Sequence, residues 1–469
     1  MPAPRDAPGG AAEAPAPAGP AEAATGPAEA PMGLADAPAG PIDTSAPAPR
    51  SEPSRGFGAW YLPAAGLLAL AAMALLHAVA PPLYQAILRV WMMDPWPTPF
   101  LDTRTVLGWA ECHRQHGAAA YAPEMLRHCG VVGPMNYPPI WMHLPLPSPD
   151  WTSGCGLALC VAFLLSLRLL PRPARHTGRA VMLAATLSSA TAFAVERANP
   201  DLLVWLLLLA AACAMHRSPA RPRLGAALVA LAASLKLYPI AGLILLWRMR
   251  WPARLALGAA VLLAVAGVAA LTATEWGLRQ PLPSGSGFLN LWGAPNAWTT
   301  LPIVLPRLIG VSADWPAWTG WCGTAVFALA SLTIALRASR IAPPPSSHLL
   351  LGAALVATCF VAAQNVAYRG IFLLLVLPAL LDARRRLAVA AILVVLWQPT
   401  ERVLLARLLG GTWPEEALRW PSLALWLAQE LAWWGILGTL AGSLLALVIR
   451  PGAGNTHAAR AVPIRRSEA

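Results

Sequence analysis

Lys236 is the only lysine among the 34 lysine and arginine residues of this 469-residue chain. It stands in the apolar stretch Ala233-Ser234-Leu235-Lys236-Leu237-Tyr238-Pro239-Ile240. An isolated ammonium deep in a membrane costs about 3 kcal/mol on insertion scales, a cost that pairing with an anion reduces. Carboxylates that could pair with it stand in a second charged interruption of an apolar run, Glu196-Arg197-Ala198-Asn199-Pro200-Asp201. Gln364-Asn365-Val366-Ala367-Tyr368-Arg369 is a third such interruption. Charges placed this way line cavities or form internal ion pairs. The chain has no P-loop, no GxGxxG and no Asp-x-Asp on an arginine-rich loop, so chemistry on a soluble nucleotide is not expected.

The elements that must position these groups follow from composition. Hydrophobic residues make up 57% of the chain and charged residues 12%, which indicates a membrane protein built from helices. Apolar runs broken by short arginine-bearing loops recur from Trp60 to Arg450, while residues 1–58 are rich in Ala, Pro and Gly and read as a disordered tail. The net charge of +12 follows the positive-inside rule rather than nucleic-acid binding, because the arginines cluster between apolar segments. That pattern places both termini, including the basic tail 451–469, in the cytoplasm. Leu224 to Trp247 is long enough for one span, yet both of its flanks are basic, so the segment should enter the membrane and return. Each arm then has about 12 residues, roughly 18 Å of helix, which places the tip Lys236-Leu237-Tyr238-Pro239 within the bilayer. Ala180 to His216 repeats the pattern, with Glu196–Asp201 at its turn. The expected fold is an all-α polytopic transmembrane bundle over residues 59–450, with about 12 membrane segments and two long outer loops, 81–150 and 274–315.

The first of those loops carries Asp102-Thr103-Arg104, then Gly117 and Tyr121, then Met135-Asn136-Tyr137-Pro138-Pro139-Ile140-Trp141. In order and placement, this aspartate, the Gly-x-x-x-Tyr, the Asn-Tyr-Pro, the Glu-Arg-x-Asn-x-Asp turn, the Lys-x-Tyr-Pro and the late Tyr-Arg resemble the GT-C glycosyltransferases of family 87. The resemblance runs from about Trp60 to Leu381. It implies an integral membrane enzyme of a bacterial inner membrane that uses no cofactor or metal. Such an enzyme moves a hexose, mannose among the candidates, from a polyprenyl-phosphate donor to a lipid or glycan acceptor at the periplasmic face, with inversion. Asp102 is then the general base, since an inverting transfer needs a carboxylate to take the acceptor proton. Its structural alternative is to cap the helix that follows, and Asp94 is a rival base. Lys236 and Arg369, with Arg197 as a third, would hold the donor phosphate, for which a compact point charge suits binding followed by release. The competing use of Lys236 is an ion pair with Glu196 or Asp201. Glu196, Asn199 and Asp201 would organise the cavity with Tyr238 and Tyr368, and Asn136 and Tyr137 would position substrate. The helices returning from Pro200-Asp201 and Tyr238-Pro239 would offer N-terminal amides to an anion.

Of seven cysteines, Cys112 and Cys129 share the first loop, where a disulfide is one expectation in an oxidising compartment. A zinc site from Cys112, His116, His128 and Cys129, beside His113, is a weaker alternative whose spacing fits no standard pattern. Trp91, Trp96, Trp141, Trp276, Trp292, Trp298 and Trp315 read chiefly as an interfacial belt. Ser284 to Asn290 could gate a substrate or simply connect. Two other classes stay open: a transporter or flippase of lipid-linked glycans, and a noncatalytic envelope scaffold. Pro200, where a polar residue would be expected, keeps the last of these open.

Overall fold

The computed structural model describes residues 59–91, 99–131, 133, 135–217, 221–279, 291–413 and 415–449. The expectations for the tails 1–58 and 451–469, for Asp94 and Trp96, and for Ser284–Asn290 lie outside these residues.

Helices dominate. In chain order they begin with α1 (Tyr61–Val79), α2 (Pro81–Val90), α3 (Leu101–His116), α4 (Pro123–His128), α5 (Ile140–His143) and α6 (Thr152–Ser166). Next come α7 (His176–Thr186), α8 (Ser189–Glu196), α9 (Asp201–Arg217), α10 (Pro222–Leu235), α11 (Trp251–Leu271) and α12 (Ala273–Trp276). The chain ends with α13 (Ala294–Leu308), α14 (Ala317–Ser339), α15 (Ser347–Ala362), α16 (Leu373–Asp382), α17 (Arg386–Leu408) and α18 (Trp420–Ile449). Among the described residues, one two-stranded antiparallel ladder interrupts them, β1 (Leu291–Trp292) on β2 (Asn365–Val366).

Among the described residues, six segments are long and apolar enough to cross a membrane: α1, Pro149–Leu169, α11, α14, α17 and α18. α7 and α8, bent by 43° at their junction, make a seventh if counted as one span. Apolar surface on α1 and α11 faces outward, with Leu68, Leu75, Leu262 and Leu263 exposed, as suits a helix bathed in hydrocarbon. The chain is a multi-pass membrane protein. The expected tally of about 12 segments depended on half-length arms, and the structure shows these as four shorter apolar helices: Asp201–Met215, Pro222–Leu235, Tyr238–Trp247 and Ser347–Ala362.

The hairpin around Lys236 breaks where the flanking arginines placed its tip. α10 ends at Leu235, and a 3-10 helix over Tyr238–Arg248 returns against it. Pro239 lies at the start of that returning helix, where the missing N–H costs nothing. α15 packs against the returning arm and is buried along most of its length. α14 and α18 approach closely through Gly438 and Gly442. A Cβ at either glycine would lie 2.6 Å from the Ser331 carbonyl or 2.7 Å from that of Ala335.

Two tryptophans expected at the interface belong to the core instead. Trp292 stacks on Trp433 with centroids 4.1 Å apart, and buried Trp141 donates its indole N–H to the Leu235 carbonyl at 2.8 Å. Both rings reach inward because each has a specific partner there, which periodicity alone does not show. Cys112 and Cys129 are joined in a disulfide, with Cα atoms 5.8 Å apart, so their thiolates cannot serve the zinc site considered for this loop.

Candidate active site

The turn Glu196–Asp201 is where the site is assembled. α8 begins at Ser188, whose Oγ accepts the Thr191 N–H at 3.4 Å, and ends at Arg197. Ala198 follows in the left-handed region, at φ 42° and fully buried. A non-glycine residue pays about 1–2 kcal/mol there, so the turn is held by its surroundings. Asn199 supplies one restraint, since its Oδ1 accepts the Asp201 N–H at 2.8 Å. Pro200 then fits the start of α9, because a proline has no N–H to leave unsatisfied.

The start of α3 supplies the other restraints. The last carbonyls of a helix have no partner within it. Here the Phe100 N–H reaches the Glu196 carbonyl at 2.9 Å, and the Asp102 N–H reaches that of Arg197 at 3.1 Å. Thr103 Oγ1 adds a bond to the Ala198 carbonyl at 2.7 Å. Asp102 does not cap α3: Phe100 stands at the N-cap, and no side chain makes a capping bond. The Asp102 carboxylate instead turns to the Glu196–Asp201 turn, accepting from Asn199 Nδ2 at 2.5 Å and lying 3.8 Å from Arg197 Nη1. Partial burial raises its pKa from the ordinary value, an effect that Arg197 and Asn199 oppose.

On the far side of Asn199 lie the cations. Asp201 is fully buried and accepts from Lys236 Nζ and, at 2.8 Å, from the Tyr238 hydroxyl, both on Oδ1. Its other oxygen takes Arg369 Nε at 3.1 Å. Two cations thus share one carboxylate. Lys236 lies 4.5 Å over the Tyr137 ring and 3.5 Å from Asn199 Oδ1. Its pairing with Asp201 is the arrangement weighed in the sequence as the alternative to phosphate binding. Arg369 stacks 5.1 Å from the Tyr238 ring centroid and donates from Nη1 to Asn365 Oδ1 at 2.5 Å. The Asn365 amide is itself anchored, donating to the carbonyls of Cys359 and Ala363 at 2.6 and 2.7 Å. The short β1–β2 ladder therefore serves to aim Arg369.

Four separate segments meet here: Asp102, the Glu196–Asp201 turn, the Lys236–Tyr238 tip and Asn365–Arg369. Tyr137 joins them through its ring under Lys236, and Tyr368, within the last of these segments, lies edge-on to Phe193 at 5.6 Å. Glu196 lies at the margin, 3.5 Å from Arg197 Nε and hydrogen-bonded to Tyr84 of α2. Asn136 does not join the cluster by a described bond; its carbonyl accepts from Arg279 Nη1 at 3.5 Å. Asn199, expected among the cavity residues, bridges the carboxylate to the lysine. Asn365 carried no signal of its role in the sequence beyond its place in a charged interruption, yet it orients Arg369. Side-chain exposure orders the charged groups: Asp102 at 23%, Arg369 at 15% and Arg197 at 14% are open, whereas Lys236 at 4% lies beneath them. Beside this cluster is an apolar cavity of about 140 Å³, lined by Thr103, Val106, Leu107, Trp141, Pro200 and Leu203 among others.

No curated protein and no solved structure shows significant similarity to the chain. Residues 135–280, less than half of the chain, match the model of glycosyltransferase family 87. That interval carries Tyr137, the Glu196–Asp201 turn and the Lys236 tip, while Asp102 and Arg369 reach the same cluster from outside it. Together with the membrane-spanning helices, the match over this interval supports a multi-pass membrane glycosyltransferase similar to family 87.

Proposed function

We propose that the chain transfers a hexose, mannose among the candidates, from a polyprenyl-phosphate carrier to a hydroxyl of a lipid or glycan acceptor, with inversion. The observation that carries this is Asn199, which joins a carboxylate open to solvent on one side to two cations sharing one buried carboxylate on the other. Asp102 takes the acceptor proton as the acceptor oxygen bonds to the sugar C1. The C1–O bond to phosphate breaks, and polyprenyl phosphate leaves with the electron pair. Lys236 and Arg369 carry two positive charges against the single charge of Asp201, and this surplus favours the anionic leaving group. Arg369 and Arg197 meet the phosphate first, and Lys236 adds its charge from beneath. The apolar cavity beside Thr103 and Pro200 suits the first units of a prenyl chain. The arginine-rich connections between spans support a cluster that faces the periplasm, with both termini in the cytoplasm.

A base works only when ionised, so activity should fall as pH drops through the Asp102 pKa. Because desolvation raises that pKa, the acid limb of kcat/KM should have its midpoint above the ordinary value of about 4. A pH–rate profile on the reconstituted protein checks this, and a limb at or below that value would argue for a different base.

One observation favours transport. A second buried polar network lies between α17 and α18, where Arg402 donates to Gln429 at 2.9 Å and Gln429 donates to Glu401 at 2.9 Å, with Glu430 buried nearby. Buried charges of this kind also serve coupling in transporters. Liposomes containing the protein and labelled polyprenyl-phosphate sugars separate the readings. Transfer of label to a new product supports the glycosyltransferase with this donor; label that crosses the bilayer unaltered supports transport. Transfer from a nucleotide sugar without a lipid carrier would refute the proposed donor.

A further inference from the structure

Away from Asp102, three side chains from distant segments converge. His113 lies in the last turn of α3, His143 at the end of α5, and Glu275 in α12. His143 Nε2 is 3.1 Å from Glu275 Oε1 and 3.2 Å from Oε2, and His113 Nε2 is 3.3 Å from the same Oε1. All three groups present donor atoms within 4.8 Å of one another. We propose that His113, His143 and Glu275 form a binding site for a divalent transition-metal ion of the zinc class, which pins the end of α3 to α12.

Geometry supports this first. Ligand bonds of 2.0–2.1 Å around a tetrahedral ion place neighbouring donor atoms about 3.4 Å apart. The two nitrogen–carboxylate edges already stand close to that spacing. A hydrogen-bonded histidine–glutamate pair needs only one imidazole, whereas here two aim at one oxygen. Among the described residues, His113 Nε2 is buried without a hydrogen-bond partner, since its approach to Glu275 is misaligned for one. A lone pair placed this way suits a cation.

The surroundings provide what a metal site requires beyond its ligands. The Tyr121 hydroxyl donates to Glu275 Oε2 at 2.8 Å, fixing the carboxylate and leaving Oε1 for the ion. The disulfide at Cys112 stiffens the chain beside His113, and Arg114 Nη1 ties α3 to the Leu146 carbonyl at 2.6 Å, just beyond His143. His143 is the most exposed of the three and leaves the fourth position to water. Two imidazoles and one carboxylate select zinc, cobalt or nickel over magnesium or calcium. The ion positions rather than reacts: His113 lies eleven positions after Asp102, about 16 Å along α3. It would clamp the helix whose other end presents Asp102, and it would join the first long loop to the start of the second.

The test uses the full-length protein in detergent, freed of any polyhistidine tag, stripped with chelator and reloaded with zinc or cobalt. About one equivalent should survive gel filtration, and the cobalt form should show the visible bands of a tetrahedral site. Retention should be lost in His143→Asn and Glu275→Gln but kept in His116→Asn and His128→Asn, whose rings face each other at 6.2 Å. Metal should also raise the thermal midpoint of the wild type and leave that of His143→Asn unchanged. A wild-type protein that retains no metal, or retention that His143→Asn leaves intact or that His116→Asn abolishes, overturns the proposal.

Discussion

Asp201→Asn is expected to be the most damaging conservative substitution in the chain, lowering stability by about 3–5 kcal/mol, the usual cost of leaving buried charges uncompensated. The side-chain shape is nearly unchanged, but Lys236 and Arg369 would face each other across a neutral amide, with Lys236 almost wholly buried. Removing one cation is milder. Lys236→Met leaves Asp201 paired with Arg369 and hydrogen-bonded to Tyr238. The double variant Asp201→Asn with Lys236→Met should therefore be more stable than Asp201→Asn alone, because it removes the more deeply buried of the two uncompensated cations. Thermal unfolding of the detergent-solubilised variants, followed by fluorescence size-exclusion, checks the order. If the double variant is the weaker, charge pairing is not what holds the turn.

Asp102→Asn should have the opposite profile, leaving the fold nearly intact while reducing transfer by about 10²- to 10⁴-fold, the range for loss of a general base. The backbone bond from residue 102 to the Arg197 carbonyl persists, and an asparagine carbonyl still accepts from Asn199. What disappears is the group able to take a proton. A purely structural role for Asp102 would produce the reverse, a drop in the thermal midpoint with transfer per folded molecule unchanged.

Some of this could be read from the residues alone. A lone lysine between two arginine-bearing flanks marks a hairpin tip, because charge bias fixes which side the flanks occupy. The structure breaks the helix there, between Leu235 and Tyr238. The pairing of Lys236 with Asp201 is one of the two uses the residues offer for that lysine, but the part of Arg369 in it is not readable. Asp201 is 35 residues from Lys236 and 168 from Arg369, so the sharing of one carboxylate by two cations emerges only from packing. The outer loop shows the same limit. Its histidines stand beside Cys112 and Cys129 in the sequence, but the cysteines are joined to each other, and His113 instead faces His143 and a glutamate 162 residues beyond it in α12. Spacing rules work within one loop, and this cluster spans two.

In the proposed reaction, Asp102 and the cations beyond Asn199 act on a sugar carried by polyprenyl phosphate. The most direct measurement follows label from a polyprenyl-phosphate hexose to product in liposomes, with equal amounts of folded wild-type and Asp102→Asn protein. Transfer by the wild type, with loss of at least about 100-fold in the variant, is the expected result. Equal transfer by both proteins would contradict the claim.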